Sequence, residues 1–269
     1  MTAGKSPAAG GSTTTTQAYG EAWYWDNRYS QDPSTFDWYQ KYPSLAPLIR
    51  LYVPTHHHPI LVVGCGNSGL SEEMADDGYN EVINVDISRV VIEAMQTKYS
   101  DNPMMKYMVM DVRDMSAFDT RSFAAVIDKG TLDSLLCGHN AQQNAAKVLV
   151  EVWRVLKDKG VYILITYGSP VYRLPVLKDL SWTIKLHVIG KLQSGNTSNL
   201  TRDLTTPIPL DANGGSTESV GMNADVHYIY VCIKLLLKYS FDMFFRMSLG
   251  RTKHEPAVWG NCFRCNCIP

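Results

Sequence analysis

Three spaced glycines follow an apolar run near residue 60. Residues 60–69 read ILVVGCGNSG, so Gly64, Gly66 and Gly69 form a G-x-G-x-x-G pattern directly after a predicted strand. A loop without side chains lets the backbone approach a nucleotide closely, with a helix starting just beyond it. The pattern therefore indicates a nucleotide site. The glycines alone do not separate a dinucleotide from S-adenosylmethionine.

Carboxylates stand at the ends of the next two predicted strands. Asp86 lies 22 positions after Gly64, where a carboxylate accepts hydrogen bonds from both hydroxyls of a ribose, and either cofactor supplies a ribose. The alternative for Asp86 is a cap on the following helix. Asp111 ends the third strand, where a carboxylate accepts from an adenine amino group while the backbone N–H of Val112 reaches a ring nitrogen. The dinucleotide pattern requires no acid there, so Asp111 favours S-adenosylmethionine.

The turn after the fourth predicted strand carries charges. Asp128 and Lys129 stand where a nicotinamide ring would need a flat slot for hydride transfer. A sulfonium is a cation, and carboxylate, carbonyl and aromatic groups suit it. Trp25, Tyr29 and Trp38, in an aromatic segment before the sheet, can supply such a cover; each ring taken singly is more typical of a core residue, but the density of rings outside the sheet favours the cover. These features favour S-adenosylmethionine over a dinucleotide, and with it a methyltransferase over an oxidoreductase.

Strands and helices alternate from residue 60 onward. Strands are predicted at 60–64, 82–86, 105–110, 123–128, 160–166, 182–190 and 227–234. Helices are predicted near 68–77, 88–100 and 141–156, with Gly160 in the turn after the last of them, and at 39–52, where Pro43 breaks the helix. Five buried parallel strands followed by two late ones predict an α/β fold, a seven-stranded doubly wound sheet with a terminal antiparallel strand.

Composition divides the chain into a body and two flanking segments. Residues 1–17 are small and polar and predict a disordered leader, 18–234 form the domain with a flexible insert at about 191–225, and 235–269 form a divergent tail. The tail is predicted to dock as a helix, with an irregular or membrane-surface segment as the alternative. The net charge of −1 indicates no general affinity for nucleic acid. No uncharged run of 18 residues exists, so no membrane span is predicted.

Two clusters of metal-ligating residue types are not predicted to bind a metal. Cys262, Cys265 and Cys267 form a C-x-x-C-x-C cluster that lacks a convincing fourth ligand. The consecutive histidines 56–58 cannot turn their side chains to one ion from a helix or strand. The remaining cysteines are expected as intracellular thiols, in keeping with a cytoplasmic protein.

Several segments together resemble the methyltransferase-like family. They are YWDNRY (24–29), FDWY (36–39), ILVVGCGNS (60–68), NVDIS (84–88), MDVRD (110–114), DKGTLD (128–133) and HYIYVC (227–232). Within that family the sequence is most similar to the eukaryotic elongation factor 1A lysine methyltransferases, including the member linked to endothelin-converting enzyme 2. The resemblance covers residues 19–190 and 226–233. It does not extend to the tail, and the stretch after Leu136 is shorter than expected for the family.

The resemblance implies a class I methyltransferase with S-adenosylmethionine as cofactor and a lysine of elongation factor 1A as substrate. The cofactor contacts that it implies are Trp25, Tyr29, Trp38, Gly64, Asp86, Ile87, Asp111, Val112 and Lys129. No general base is identified, and Asp128 and Tyr167 are the only candidates. The loop TYGSP (166–170) contains no N-P-P-Y-like sequence, which disfavours an amide or a nucleic-acid amine as acceptor. The alternatives are a small-molecule methyltransferase and a non-catalytic, cofactor-binding interaction module.

Overall fold

The computed structural model describes residues 18–190, 203–210 and 226–236. The predicted leader, most of the predicted insert, the tail beyond residue 236 and its cysteine cluster lie outside the described residues. Residues 203–210 contact the body of the domain, because Ile208 donates its backbone N–H to the Leu186 carbonyl at 2.7 Å.

The described residues form seven helices and seven strands. The helices are α1 (Ala22–Gln31), α2 (Tyr42–Tyr52), α3 (Leu70–Asp76), α4 (Arg89–Lys98), α5 (Thr131–Leu136), α6 (Ala141–Val155) and α7 (Pro170–Leu177). The strands are β1 (Ile60–Val63), β2 (Val82–Asp86), β3 (Met105–Val109), β4 (Phe123–Lys129), β5 (Leu156–Thr166), β6 (Trp182–Gly190) and β7 (Val226–Lys234). Among these helices none is both long and apolar enough to cross a bilayer.

The seven strands make one sheet in the order β3-β2-β1-β4-β5-β7-β6. Strands β1 to β5 pair in parallel, and β7 runs antiparallel between β5 and β6. This confirms the predicted seven-stranded α/β sheet with a terminal antiparallel strand. The strand order reverses between β1 and β4, because β2 and β3 are added on one side of β1 and β4 and β5 on the other. Open parallel sheets bind ligands at the carboxyl ends of the strands beside such a switch point.

Helices cover both faces of the sheet. In β1, Leu61 and Val63 belong to the apolar cluster that contains residues of α5, α6 and α7, whereas Ile60 and Val62 belong to the cluster with α2, α3 and α4. All four side chains are buried. Burial on both faces explains why the strands appear in the sequence as continuous apolar runs, and each such side chain contributes about 1.5–3 kcal/mol of hydrophobic stabilisation.

Three helices were not predicted from the sequence, each for a local reason. Helix α1 has no fully buried residue, and its half-buried face at Ala22, Trp25, Asp26 and Tyr29 includes an acid, so its apolar period is weak. Helix α5 has 6 residues, fewer than two turns. Helix α7 has 8 residues, begins at Pro170 and contains Pro175, which is normally unfavourable inside a helix.

Two predicted boundaries were wrong. Pro43 does not break α2 but lies in its first turn, where its missing N–H costs nothing. Gly160 does not form a turn after a helix, because β5 already begins at Leu156. Lys159 has a φ of +63° at an irregular part of the pairing with β4. A Cβ on Gly160 would lie 3.1 Å from the Ala124 carbonyl, so the glycine allows β4 to approach.

Candidate functional site

A cavity lies along the carboxyl ends of strands β1 to β5. Its walls come from the loops after these strands and from the segment 19–39 that precedes the sheet, and it measures about 1210 Å³ out to its mouth. All nine residues for which the sequence suggested cofactor contact line this cavity: Trp25, Tyr29, Trp38, Gly64, Asp86, Ile87, Asp111, Val112 and Lys129. The structure thus brings together residues that lie up to 104 positions apart in the chain.

The glycine loop after β1 needs its glycines for conformation and for space. Gly64 and Gly66 have φ angles of +58° and +51°, a region that side chains disfavour. A Cβ on Gly64 would lie 2.0 Å from Thr131 Oγ1, and one on Gly66 would lie 2.5 Å from Tyr29 Oη. The Thr131 hydroxyl donates to the Val63 carbonyl at 2.9 Å, which holds it against the loop. The loop therefore offers bare backbone to the cavity.

Asp86 ends β2 as a buried carboxylate with spare acceptor capacity. Its Oδ2 accepts the Gly66 N–H and its Oδ1 accepts the Ser88 N–H, both at 2.9 Å. Burial raises the pKa of Asp86 to about 6, against the effect of these two hydrogen bonds. A carboxylate has about four lone-pair positions, so acceptor capacity remains for a hydroxyl donor. The following helix α4 is capped by the Ser88 side chain, which accepts from Val91 N, so the helix-cap role lies mainly with Ser88.

Asp111 lies after β3 and is already paired. The Arg113 guanidinium approaches both of its oxygens, with an Nη2–Oδ2 distance of 2.7 Å, and the Arg113 N–H donates to Oδ1 at 2.9 Å. Arg113 also donates to the Gly20 carbonyl at 3.1 Å. Asp111 therefore lines the cavity and also anchors the start of the aromatic segment.

The aromatic segment is held over the strand ends mainly by polar contacts. Trp25 and Tyr29 stack with their ring centroids 6.1 Å apart, and Trp25 Nε1 donates to the Tyr19 carbonyl at 2.8 Å. Asp26 accepts from the Ser88 hydroxyl at 2.6 Å, which ties α1 to the start of α4. No residue of α1 is fully buried, so these contacts, together with the packing of Tyr29 against the apolar cluster, set its position.

Lys129 makes the strongest link between this segment and the sheet. Its ammonium lies 3.2 Å from Asp37 Oδ1 and donates to the Trp38 carbonyl at 3.1 Å. The side chains are 6% and 8% exposed, and Asp37 also accepts from the Ser68 hydroxyl of the glycine loop. Burial lowers the pKa of Lys129, and the Asp37 carboxylate opposes that effect. The ion pair joins the segment, the loop after β1 and the end of β4.

The two candidate bases, Asp128 and Tyr167, occupy different places. Asp128 is fully buried and does not line the cavity; it accepts from the Thr131 and Leu132 N–H groups and from the Tyr162 hydroxyl. Burial raises the pKa of Asp128 to about 7. Its oxygens cap α5 behind the site, so it is not placed to act on a ligand in the cavity. Tyr167 does line the cavity, with its hydroxyl 3.4 Å from Cys137 Sγ.

The structure adds cavity residues that the sequence did not single out. Tyr39 and Asp133 lie within the segments FDWY and DKGTLD but were not assigned contacts. The Tyr39 hydroxyl donates to Asp133 Oδ2 at 2.8 Å, and Arg173 Nη2 donates to Asp133 Oδ1 at 2.5 Å. Tyr39 has a φ of +63°, which is uncommon for a residue with a side chain.

The consecutive histidines lie in the turn between α2 and β1. The His56 ring packs 4.2 Å from the Tyr79 ring, and His57 Nδ1 lies 2.9 Å from Asn80 Nδ2. In residues 18–190, 203–210 and 226–236, no three His, Cys, Asp or Glu side chains are grouped as a metal site.

Comparisons with known protein families and curated proteins converge on one chemistry. Residues 61–164 match the family described as "Methyltransferase domain". The Homo sapiens protein "eEF1A lysine and N-terminal methyltransferase" is 34% identical over 182 residues, covering 65% of this chain and 26% of that protein. The Bos taurus protein "EEF1A lysine methyltransferase 4" is 37% identical over 173 residues, covering 58% of this chain and 64% of that protein. The chain thus spans about a quarter of the first relative's length.

Comparison with solved structures supports the fold. The structure described as "Conversion of a Disulfide Bond into a Thioacetal Group during Echinomycin Biosynthesis" has a TM-score of 0.51 and 15% identity, covering 85% of this chain and 99% of that one. At that identity the likeness concerns the arrangement of strands and helices.

Proposed function

We propose that the chain is a class I methyltransferase that transfers a methyl group from S-adenosylmethionine to a lysine of a protein. The proposed substrate is elongation factor 1A, in the cytoplasm, with no nucleic-acid partner. The observation that carries the proposal is the cavity in which the glycine loop, Asp86 and Asp111 stand at three successive strand ends. The two curated relatives, both named for methylation of that factor, support the substrate.

The residues present fit the cofactor. The remaining acceptor capacity of Asp86 suits the hydroxyls of a ribose, and its burial makes each hydrogen bond electrostatically stronger than in water. Next to it, Gly66 lines the cavity and has no room for a Cβ, which would lie 2.5 Å from Tyr29 Oη. When bound, S-adenosylmethionine supplies an electrophilic methyl group on a sulfonium for in-line displacement.

The chain's own part in the reaction is to position the two reactants and to exclude water from them. The Lys129–Asp37 ion pair holds Trp38 over the end of β4, and Arg113 holds the other end of the aromatic segment. A lysine reacts only as the neutral amine, and an aromatic surrounding of low polarity disfavours the charged ammonium. Alignment and desolvation together supply most of the barrier reduction proposed here, without a dedicated base.

The proposal is tested with enzyme, S-adenosylmethionine and purified elongation factor 1A, followed by mass spectrometry of the factor. A new methyl-lysine that is absent with an Asp86→Asn enzyme is the expected result. In a parallel reaction with cell lysate, labelling of another protein but not of this factor would support the methyltransferase and contradict the substrate. Label found only in small molecules would favour the small-molecule alternative, and no label at all would favour a binding module.

Replacing Asp86 by asparagine is expected to weaken cofactor binding by about 1.5–3 kcal/mol, or roughly 10- to 100-fold, because charge-assisted hydrogen bonds to the ribose are lost. The amide keeps the size of the carboxylate, but its NH2 group cannot accept, so either the Gly66 or the Ser88 N–H loses its partner and the fold must be checked. Calorimetry with S-adenosylhomocysteine measures the affinity, and circular dichroism checks the fold. An unchanged affinity would show that Asp86 serves the loop and the helix alone.

The affinity of the wild-type protein is expected to fall as the pH drops below about 6. The pKa of Asp86 is raised to about 6 in the free protein, so below that pH the group is protonated. Hydroxyl donors bind the ionised form better, so ligand binding must first release a proton there. Calorimetry at pH 5.5 in two buffers of different ionisation enthalpy detects that release. The Asp86→Asn variant is expected to lose this part of the pH dependence, and a wild-type affinity independent of pH would contradict the assignment.

A further inference from the structure

Two tyrosines form the wall of the cavity on the side of β4 and β5. Tyr39 and Tyr167 both line it, with ring centroids 6.3 Å apart and planes at 65°. Tyr39 lies against the backbone of Gly130, where a Cβ would be 3.2 Å from the Tyr39 ring. The groups suited to a nucleoside, Asp86 and Asp111, stand at the ends of β2 and β3 instead. The end with the two tyrosines therefore remains for the acceptor.

One buried carboxylate organises this wall. Asp133 is 2% exposed and accepts from the Tyr39 hydroxyl at 2.8 Å and from the Tyr167 backbone N–H at 3.3 Å. It also accepts from the Thr166 hydroxyl at 2.5 Å. Both tyrosines are therefore hydrogen-bonded to the same group, although they lie on different segments of the chain.

Arg173 neutralises that carboxylate from behind. Its Nη2 donates to Asp133 Oδ1 at 2.5 Å, its side chain is 6% exposed, and its guanidinium carbon lies 5.5 Å from the centre of the Tyr167 ring. Gly168 makes room for it, since a Cβ there would lie 2.3 Å from the guanidinium carbon. The pair leaves the wall with phenol rings and hydroxyls and without a net negative charge.

We propose that Tyr39 and Tyr167 form the wall along which the acceptor amine is aligned, and this deepens the proposed function and rests on it. Asp133, paired with Arg173, is the positioning residue that holds the Tyr39 ring by its hydroxyl and Tyr167 by its backbone N–H. An unpaired carboxylate here would stabilise the ammonium form of a lysine and so suppress its nucleophilicity. The aromatic rings align the alkyl stem and the amine. Because the carboxylate behind them is neutralised, the amine remains free to lose its proton.

The experiment compares two ligands on the same protein. One is S-adenosylhomocysteine, and the other is its analogue in which nitrogen replaces the sulfur and carries a four-carbon aminoalkyl chain, the length of a lysine side chain. The wild type is expected to bind the aminoalkyl analogue about tenfold more tightly, because the chain lies along the rings. Tyr167→Leu and Tyr39→Phe are expected to lose that advantage and to keep their affinity for S-adenosylhomocysteine within about twofold.

The ratio of the two affinities separates positioning from structural damage. A general defect weakens both ligands in proportion, whereas loss of the wall weakens only the aminoalkyl analogue. Tyr172→Leu, on the exposed side of α7 and outside the cavity lining, serves as the matched control and is expected to keep the wild-type ratio. Tyr39→Phe retains the ring and removes only the hydrogen bond to Asp133. It therefore measures the effect of positioning on the affinity ratio even if Tyr167→Leu fails to fold.

Two results would overturn the inference in distinguishable ways. If the wild type binds S-adenosylhomocysteine but binds the aminoalkyl analogue no more tightly, the proposed acceptor wall is wrong and the proposed cofactor still holds. A wild type that binds neither ligand removes the proposed function and the inference with it.

Discussion

Replacing Lys129 by methionine is expected to destabilise the folded protein by about 3–5 kcal/mol, because removal of one partner leaves a buried charge without compensation. Asp37 would keep its contact to the Ser68 hydroxyl but lose the ammonium at 3.2 Å. The segment that carries Trp38 would then loosen from the end of β4, and cofactor binding would weaken with it. Urea unfolding of the free protein measures the loss.

Two further variants control this result. The double variant Asp37→Asn, Lys129→Met removes both charges and is expected to recover a large part of the stability. Lys106→Met breaks a surface pair with Glu81 that is 3.0 Å long, with side chains 60% and 41% exposed, and is expected to cost at most about 1 kcal/mol. Equal losses for Lys129→Met and Lys106→Met would show that water replaces the ammonium beside Asp37.

Replacing Gly64 by alanine is expected to destabilise the protein by about 2–5 kcal/mol and to abolish cofactor binding. A side chain at a φ of +58° costs about 1–2 kcal/mol, and forcing it into packed surroundings adds about 1–3 kcal/mol. The new Cβ would lie 2.0 Å from Thr131 Oγ1 and 2.9 Å from Thr131 Cβ, so rotation of the threonine side chain does not relieve the contact. Thermal unfolding with and without S-adenosylhomocysteine measures both effects.

Gly69→Ala is the matched control within the same motif. Gly69 has a φ of −77°, and the nearest atom to a Cβ there is Glu73 Oε1 at 3.7 Å, an ordinary contact. We expect the melting temperature to stay near that of the wild type. If Gly64→Ala were as harmless as Gly69→Ala, the conformation and the close contact described for the loop after β1 would be wrong.

The sequence by itself determined the class of fold and the edge of the sheet that carries the cavity. Strand and helix periods are local properties, and the spacing from Gly64 to Asp86 and Asp111 places all three at the carboxyl ends of parallel strands. Six of the nine suggested contact residues end or follow strands in this way and line the cavity for that reason, whereas Trp25, Tyr29 and Trp38 reach it from the segment before the sheet.

Tertiary structure alone decided which charged groups face that cavity and which are neutralised. Asp128 and Asp133 lie in one short motif, yet Asp128 turns back to cap α5 while Asp133 joins Tyr39, Thr166 and Arg173. Lys129 finds its partner 92 positions earlier in the chain. Local sequence cannot specify these pairings, because the direction of a buried side chain depends on partners that only the folded chain brings near.

The position of α1 was decided in the same way. Its inner face is only half-buried and includes Asp26, so its apolar period is weak, and it is placed by the contacts of Asp26 with α4, of aromatic rings with one another and of Tyr29 with the apolar cluster. Hydrogen bonds between distant segments leave no periodic trace in the sequence, whereas burial of alternating apolar residues does. The sheet was therefore predictable from the sequence, and the segment that covers its cavity was not.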